Sequence, residues 1–93
     1  GHDEIDDLID RLNAYSDRVR KAREWANKPF KTQMTIRMEG VKAIFCAQNP
    51  AIYNCMAEGN TEQDARKNLA EVRQEIFENL LLGNLPLPEP DGA

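Results

Sequence analysis

A chain of 93 residues, 41% hydrophobic and 30% charged, has enough apolar mass for one modest core and too much for a disordered chain. Its longest apolar run is Ala43 to Ala47, far short of the roughly 20 residues that a membrane helix needs. A net charge of −4, with no basic run longer than Arg20-Lys21, argues against a phosphate-gripping surface, so neither nucleic acid nor membrane is expected as a direct partner.

The ends and the cysteines narrow the chemistry further. Gly1-His2 ahead of Asp3 reads as the remnant of a purification tag, which leaves no native histidine for catalysis. No signal peptide is visible, and a cytoplasmic location is expected. Cys46 and Cys55 are expected as reduced, small buried hydrophobes rather than as a disulfide.

From Asp3 to Asn27 there is no glycine or proline, and apolar residues fall three and four apart at Ile5, Leu8, Leu12, Tyr15, Val19, Ala22 and Ala26. That spacing predicts one amphipathic helix, ended by Lys28-Pro29 because proline disfavours helical backbone in the residue before it. The chain divides into this helix, residues 3–28, and an α+β unit, residues 29–93. At 1.5 Å per residue the helix is roughly 36 Å long and overhangs a seven-residue strand of about 23 Å. Its stripe, Ile5, Leu8, Leu12, Tyr15, Val19 and Ala22, is therefore expected to hold a homodimer or higher homo-oligomer together. Acidic residues crowd the first half (Asp3, Glu4, Asp6, Asp7, Asp10) and basic ones the second (Arg11, Arg18, Arg20, Lys21, Arg23). A parallel pair would set Arg18 against Arg23, whereas an antiparallel pair aligns opposite charges. The helix dipole favours the same polarity in a solitary helix.

Phe30 to Met38 alternates, with Met34, Ile36 and Met38 on one face and Gln33, Thr35 and Arg37 on the other. A two-residue turn at Glu39-Gly40 would pair Met38 with Val41, Ile36 with Ala43 and Met34 with Phe45, all on one face. The second strand, Val41 to Ala47, is apolar on its other face as well, through Ile44 and Cys46, so a cover for that face is expected: the N-terminal helix or a partner. Gln48-Asn49-Pro50 interrupts it, and Tyr53 to Glu58 reads as a third strand ending at Gly59.

A second helix follows. Thr61 is its cap, accepting the Asp64 N–H, and Glu62 and Asp64 put negative charge in the first turn. Ala65, Leu69, Val72, Ile76 and Leu80 repeat along it, with Phe77 widening the stripe, until Gly83-Asn84 offers a left-handed stop. The tail from Leu85 to Pro90 is too rich in proline for a helix and reads as extended, laid along an edge. The fold class is thus α+β: a long N-terminal helix, a three-stranded antiparallel sheet, one C-terminal helix packed on that sheet, and a Pro-rich tail.

Pro50, Cys55, Gly59, Asn60, Thr61 and Ala65, with the closing Leu85-Pro86-Leu87-Pro88-Glu89-Pro90, resemble the HicB-like antitoxin family and its Pro-x4-Cys-x3-Gly-Asp-Thr-x3-Ala pattern. The likeness runs from about Phe30 to Pro90. Ala51 stands where the family usually has an acid and Asn54 where it has glycine, a position that asparagine can fill in left-handed backbone. The N-terminal helix lies outside the pattern. The resemblance implies a partial ribonuclease-H-like fold, and a module that binds and blocks a small basic ribonuclease toxin of the HicA type, often as a dimer or tetramer.

No enzyme is expected. A ribonuclease-H-type site needs several carboxylates converging on Mg²⁺, and the strands offer only Glu39 in a turn and Glu58 at an end. The cysteines lack a base. Catalytic, cofactor-binding and metal-binding residues are therefore all expected to be none. Contacts with a partner protein are expected on the open sheet face, at Arg37, Lys42, Ile44, Cys46 and Met56. Pro50, Cys55, Gly59, Thr61 and Ala65 are structural markers. Two alternatives stand beside the antitoxin reading: a stand-alone oligomeric regulatory or structural protein with no toxin partner, and the partner-binding domain of a longer DNA-binding repressor.

Overall fold

The computed structural model describes residues 2–92, with His2 described by its backbone alone. Gly1 and the His2 side chain, read as a tag remnant, lie outside the described residues, as does Ala93 at the end of the second unit. The chain folds as α1 (His2–Ala26), β1 (Gln33–Glu39), β2 (Lys42–Gln48), β3 (Met56–Gly59) and α2 (Glu62–Leu82). The strands form one antiparallel sheet in the order β1-β2-β3. This is the α+β layout expected from the alternation and periodicity of the sequence.

The hairpin register differs from the expected one. Met38 pairs with Ala43, Ile36 with Phe45 and Met34 with Ala47, which moves the two-residue loop to Gly40-Val41. Backbone sterics decide this. Both common two-residue hairpin turns need a positive φ at the first loop residue. A loop at Glu39-Gly40 would force that conformation on Glu39, whereas the observed loop gives it to Gly40, at φ +62°. The shift is two residues in pairing, so every side chain keeps its expected face. Val41 leaves the sheet and is fully exposed.

The third strand is also shorter than expected. Residues 50–54 form turns, and Asn54 takes φ 58°, so the strand starts at Met56 and Cys55 precedes it. Asparagine thus does at this position what glycine would.

α2 packs over β3 and β2, and α1 packs on α2. The core comprises Ala22 and Ala26 of α1, Ala47 of β2, Ile52 and Cys55 of the turn, and Ala65, Leu69 and Phe77 of α2. Phe30 reaches over to Phe77 with ring centroids 5.7 Å apart. Neither helix makes extensive contact with β1, so Ile36 and Met38 remain about 60% exposed although they point to the helix side.

Local chemistry fixes both ends of α2. Thr61 Oγ1 accepts the Asp64 N–H at 3.0 Å, as expected. At the other end the left-handed residue is Asn84 (φ 55°), not Gly83, and Asn84 N–H and Leu85 N–H return to Leu81 O and Leu80 O at 3.1 and 2.8 Å. Those two bonds make a Schellman stop. The tail then runs back beside the segment leading into β1 rather than along a sheet edge. Trp25 Nε1 donates to Pro88 O at 2.9 Å, Gly92 N–H to Pro29 O at 2.8 Å, and Lys31 N–H to Asp91 Oδ1 at 2.8 Å.

Candidate functional site

Alternation along the strands sends Thr35, Arg37, Lys42, Ile44, Cys46, Gln48, Met56 and Glu58 to the face away from the helices. Among the described residues α1 does not cover this face: it lies on α2 instead. A hollow of about 290 Å³ opens there, lined by Thr35, Arg37, Cys46, Gln48, Met56 and Glu58 among others.

An ion pair spans the hollow from edge strand to edge strand. Arg37 donates from Nη1 to Glu58 Oε1 at 2.8 Å and from Nη2 to Glu58 Oε2 at 3.2 Å, a two-pronged fork. Its Nη2 also meets Glu39 Oε1 at 3.0 Å. Cys46 sits beneath, with Sγ 3.9 Å from both Arg37 Nη1 and Glu58 Oε1. The guanidinium's hydrogen bonds hold the Glu58 carboxyl below its ordinary range, and the two carboxylates raise Arg37 further above its own. All three charged side chains are about half exposed, so water screens the pair and its contribution to stability is small. Its geometric consequence matters more, because it fixes a planar donor fork over the middle of an otherwise bare sheet.

Of the residues expected to touch a partner, Arg37, Lys42, Cys46 and Met56 share this face and reach its surface. Ile44 does not qualify. It is 8% exposed, in a second, polar hollow with Glu58, Gly59, Asn60, Asp64, Lys67 and Asn68, and offers a partner almost no area. Among the oligomerisation residues, Ile5, Leu8, Leu12 and Tyr15 are exposed and Val19 half-buried, whereas Ala22 is wholly buried against the core. Ala22 is used up inside the chain and cannot serve a second copy.

The marker residues Pro50, Cys55, Gly59, Thr61 and Ala65 meet at the joint between β3 and α2 and the turn before it. Gly59 is required there for a reason other than backbone freedom. A Cβ on it would lie 2.4 Å from the Ala65 amide nitrogen and 2.8 Å from Asp64 C. The end of β3 and the first turn of α2 approach too closely for any side chain. Ala65, fully buried, belongs to the same contact.

A polar cluster that sequence periodicity missed ties four segments together. Asn49 is wholly buried: Nδ2 donates to Lys31 O at 3.0 Å and Thr32 Oγ1 at 3.2 Å, and Oδ1 accepts Arg73 Nη1 at 2.8 Å. Cys55 Sγ lies 3.5 Å from the same Oδ1, and burial pushes the Cys55 thiol up. Arg73 Nε donates to Ala26 O at 3.0 Å and so caps the end of α1. Every buried side-chain polar atom among the described residues has a partner, which makes this a structural knot. A signal for it was present: Ala65, Leu69, Arg73, Phe77 and Leu81 form one column four apart, and a charge in a buried column calls for partners.

Among the described residues no three histidine, cysteine or acidic side chains gather as a metal site. No helix among them is long and apolar enough to cross a membrane. No family model matches the chain, and neither does a curated protein or a solved structure.

Proposed function

We propose that this chain is a protein-binding module rather than a catalyst, and that its bare sheet face docks a partner protein of the kind the HicB-like pattern implies, a small basic ribonuclease that it blocks in the cytoplasm. The observation that carries the reading is the uncovered face itself. A three-stranded sheet has two faces to cover; here α2 lies on one, while the other carries a rigid Arg37–Glu58 fork flanked by Met56, Cys46 and Thr35. Such a mixed face, with an apolar side chain beside fixed polar groups, suits a protein partner. Glu58, Glu62 and Asp64 line the β3–α2 side and favour a basic approach.

The test is binding to a HicA-type ribonuclease encoded beside this chain, read by isothermal titration and by protection of an RNA substrate from cleavage. Tight binding with full protection is expected, with a loss of at least about tenfold in affinity for Met56→Asp, a surface change that leaves the fold intact. No heat of binding and no protection would overturn the reading. A second reading, a stand-alone oligomeric regulatory or structural protein, is favoured by one observation: the molecule is 62 Å long, and the large apolar side chains of the first half of α1 are about half exposed or more. An unaltered sheet face in the presence of the ribonuclease, together with a stable oligomer, would select it.

A further inference from the structure

We infer that β1 is the meeting edge of a homodimer, in which β1 of a second copy pairs antiparallel with it about a two-fold axis at Ile36 and the two sheets become one. The two edges of the sheet differ. β3 is four residues long, is packed by α2, and has the carbonyl of Glu58 capped by Asn68 Nδ2 at 2.8 Å. Short length and a cover are common protections of an edge. β1 has neither: it runs seven residues, Gln33–Glu39, without proline, glycine or lysine, and neither helix makes extensive contact with it. Its two charges do not guard it, because Arg37 leans back over the sheet to Glu58 and holds Glu39 beside it. The described tail meets the chain ahead of β1, at Pro29 and Lys31, and leaves the strand bare.

The hairpin decides which backbone groups are free. Glu39 and Lys42 flank a two-residue loop and exchange hydrogen bonds, as does every second residue back to Gln33 with its partner on β2. Met34, Ile36 and Met38 therefore turn their N–H and C=O groups to the open edge. The same residues point their side chains to the helix side, where Ile36 and Met38 are 61% and 60% exposed. A two-fold axis at Ile36 makes both sets meet themselves: Ile36 faces Ile36 of the second copy, and Met34 faces Met38 in both directions. A slip of one residue would set free backbone groups against used ones and apolar side chains against polar ones. An axis at Arg37 would oppose two guanidiniums, and an axis at Thr35 would leave Met38 facing Thr32.

The polar face agrees with the same register. Arg37 stands across from Thr35 of the second copy and Glu39 across from Gln33, so no like charges are directly opposed. The two Arg37 side chains lie on a diagonal, each already held by Glu58 and Glu39 of its own chain. Exposed and half-buried residues alternate from Lys31 to Thr35, which puts Lys31 on the face of Gln33 and on the other diagonal from Glu39. Lys31 enters no ion pair among the described residues, and Glu39 of the second copy supplies one. The occupant is a second copy because one register satisfies backbone groups, apolar row and charges together, all within one strand and its approach, as an isologous interface requires.

The test is sedimentation equilibrium on the full chain, with circular dichroism as the check on folding. A dimer is expected at about 0.1 mM. Ile36→Lys places two cations at the axis and weakens the dimer at least about tenfold, with the fold kept because the side chain is exposed. Ile36→Pro removes an outward N–H and none of the ladder with β2, and also gives a monomer. If Ile36→Pro unfolds the chain, Ile36→Lys decides alone. On a Cys46→Ser background, Ile36→Cys oxidises to a cross-linked dimer, since its Cα lies about 5.5 Å from its counterpart. Met34→Cys does not, its two copies being roughly 14 Å apart along the strands. A monomer at that concentration would overturn the inference and leave the edge to a strand of another protein. A dimer unchanged by Ile36→Lys would overturn it in favour of another surface such as α1, and cross-linking through Met34→Cys would overturn the register. The chain is measured alone, so the outcome is separate from ribonuclease binding at the sheet face.

Discussion

The two halves of α1 share the same spacing of apolar residues, three and four apart, and differ in what that spacing accomplishes. In the second half Ala22 and Ala26 are buried against the core, the helix end is capped by Arg73, and Trp25 ties down the tail at Pro88 O. In the first half, from Ile5 to Tyr15, every large apolar side chain is about half exposed or more. Size accounts for the contrast as much as pattern. The buried positions are alanines, which let α1 and α2 approach closely, while the exposed ones are bulky residues with no surface within reach. Amphipathic spacing states that a face will be buried; it does not state by what.

This contrast can be broken most forcefully from the body side. Phe77→Ala removes a fully buried ring that packs on Phe30 and should cost about 3–5 kcal/mol in urea unfolding. Asn49→Ala leaves Arg73 Nη1 and Lys31 O without their partner and should cost about 2–3 kcal/mol. A loss below about 0.5 kcal/mol would show that the knot is not what holds α1 to the body. Gly59→Ala should cost about 1–3 kcal/mol through overpacking at the β3–α2 joint. Its effect would be the same at any protein concentration.

The projecting half should behave in the opposite way. Leu12→Ala, measured at a concentration that keeps chains apart, should change unfolding by less than about 0.5 kcal/mol. A large intrinsic loss would mean that the first half of α1 folds back on the body.

The smallest expected effect lies on the sheet face. Glu58 is held below its ordinary value of 4.5 by Arg37. A carboxyl whose folded value is depressed stabilises the fold above its unfolded value and loses that contribution as pH falls through the folded one. The Glu58 carboxyl followed by NMR should titrate below the ordinary range, and Arg37→Gln should return it there. A titration unchanged by the substitution would remove the fork from solution.

Much of the fold was legible because its elements are set locally. Pro29 ends α1, Thr61 caps α2, and the alternation of Met34 to Met38 assigns the faces of β1. The site was legible only in part. Parity alone puts Arg37, Cys46 and Met56 on the face away from the helices, but their relation to Glu58 needs the third strand, whose start depends on a left-handed Asn54. Ile44 was misjudged because burial depends on the neighbours brought up by the β3–α2 joint. Asn49 and Arg73 escaped notice because periodicity records apolar positions, and a buried polar group is found only through its partners.

By itself the sequence determined which residues are helical, which face of each strand is apolar, and where each helix must stop, since these follow from backbone sterics and short-range hydrogen bonds. Tertiary structure alone decided which apolar stripes are satisfied within the chain. α2 has room for one alanine-lined helix segment, so α1 is divided at about Val19 into a part packed on the body and a part whose large apolar side chains stay about half exposed. That division arises from the length of α1 against the width of the body, a relation between elements that no single segment encodes.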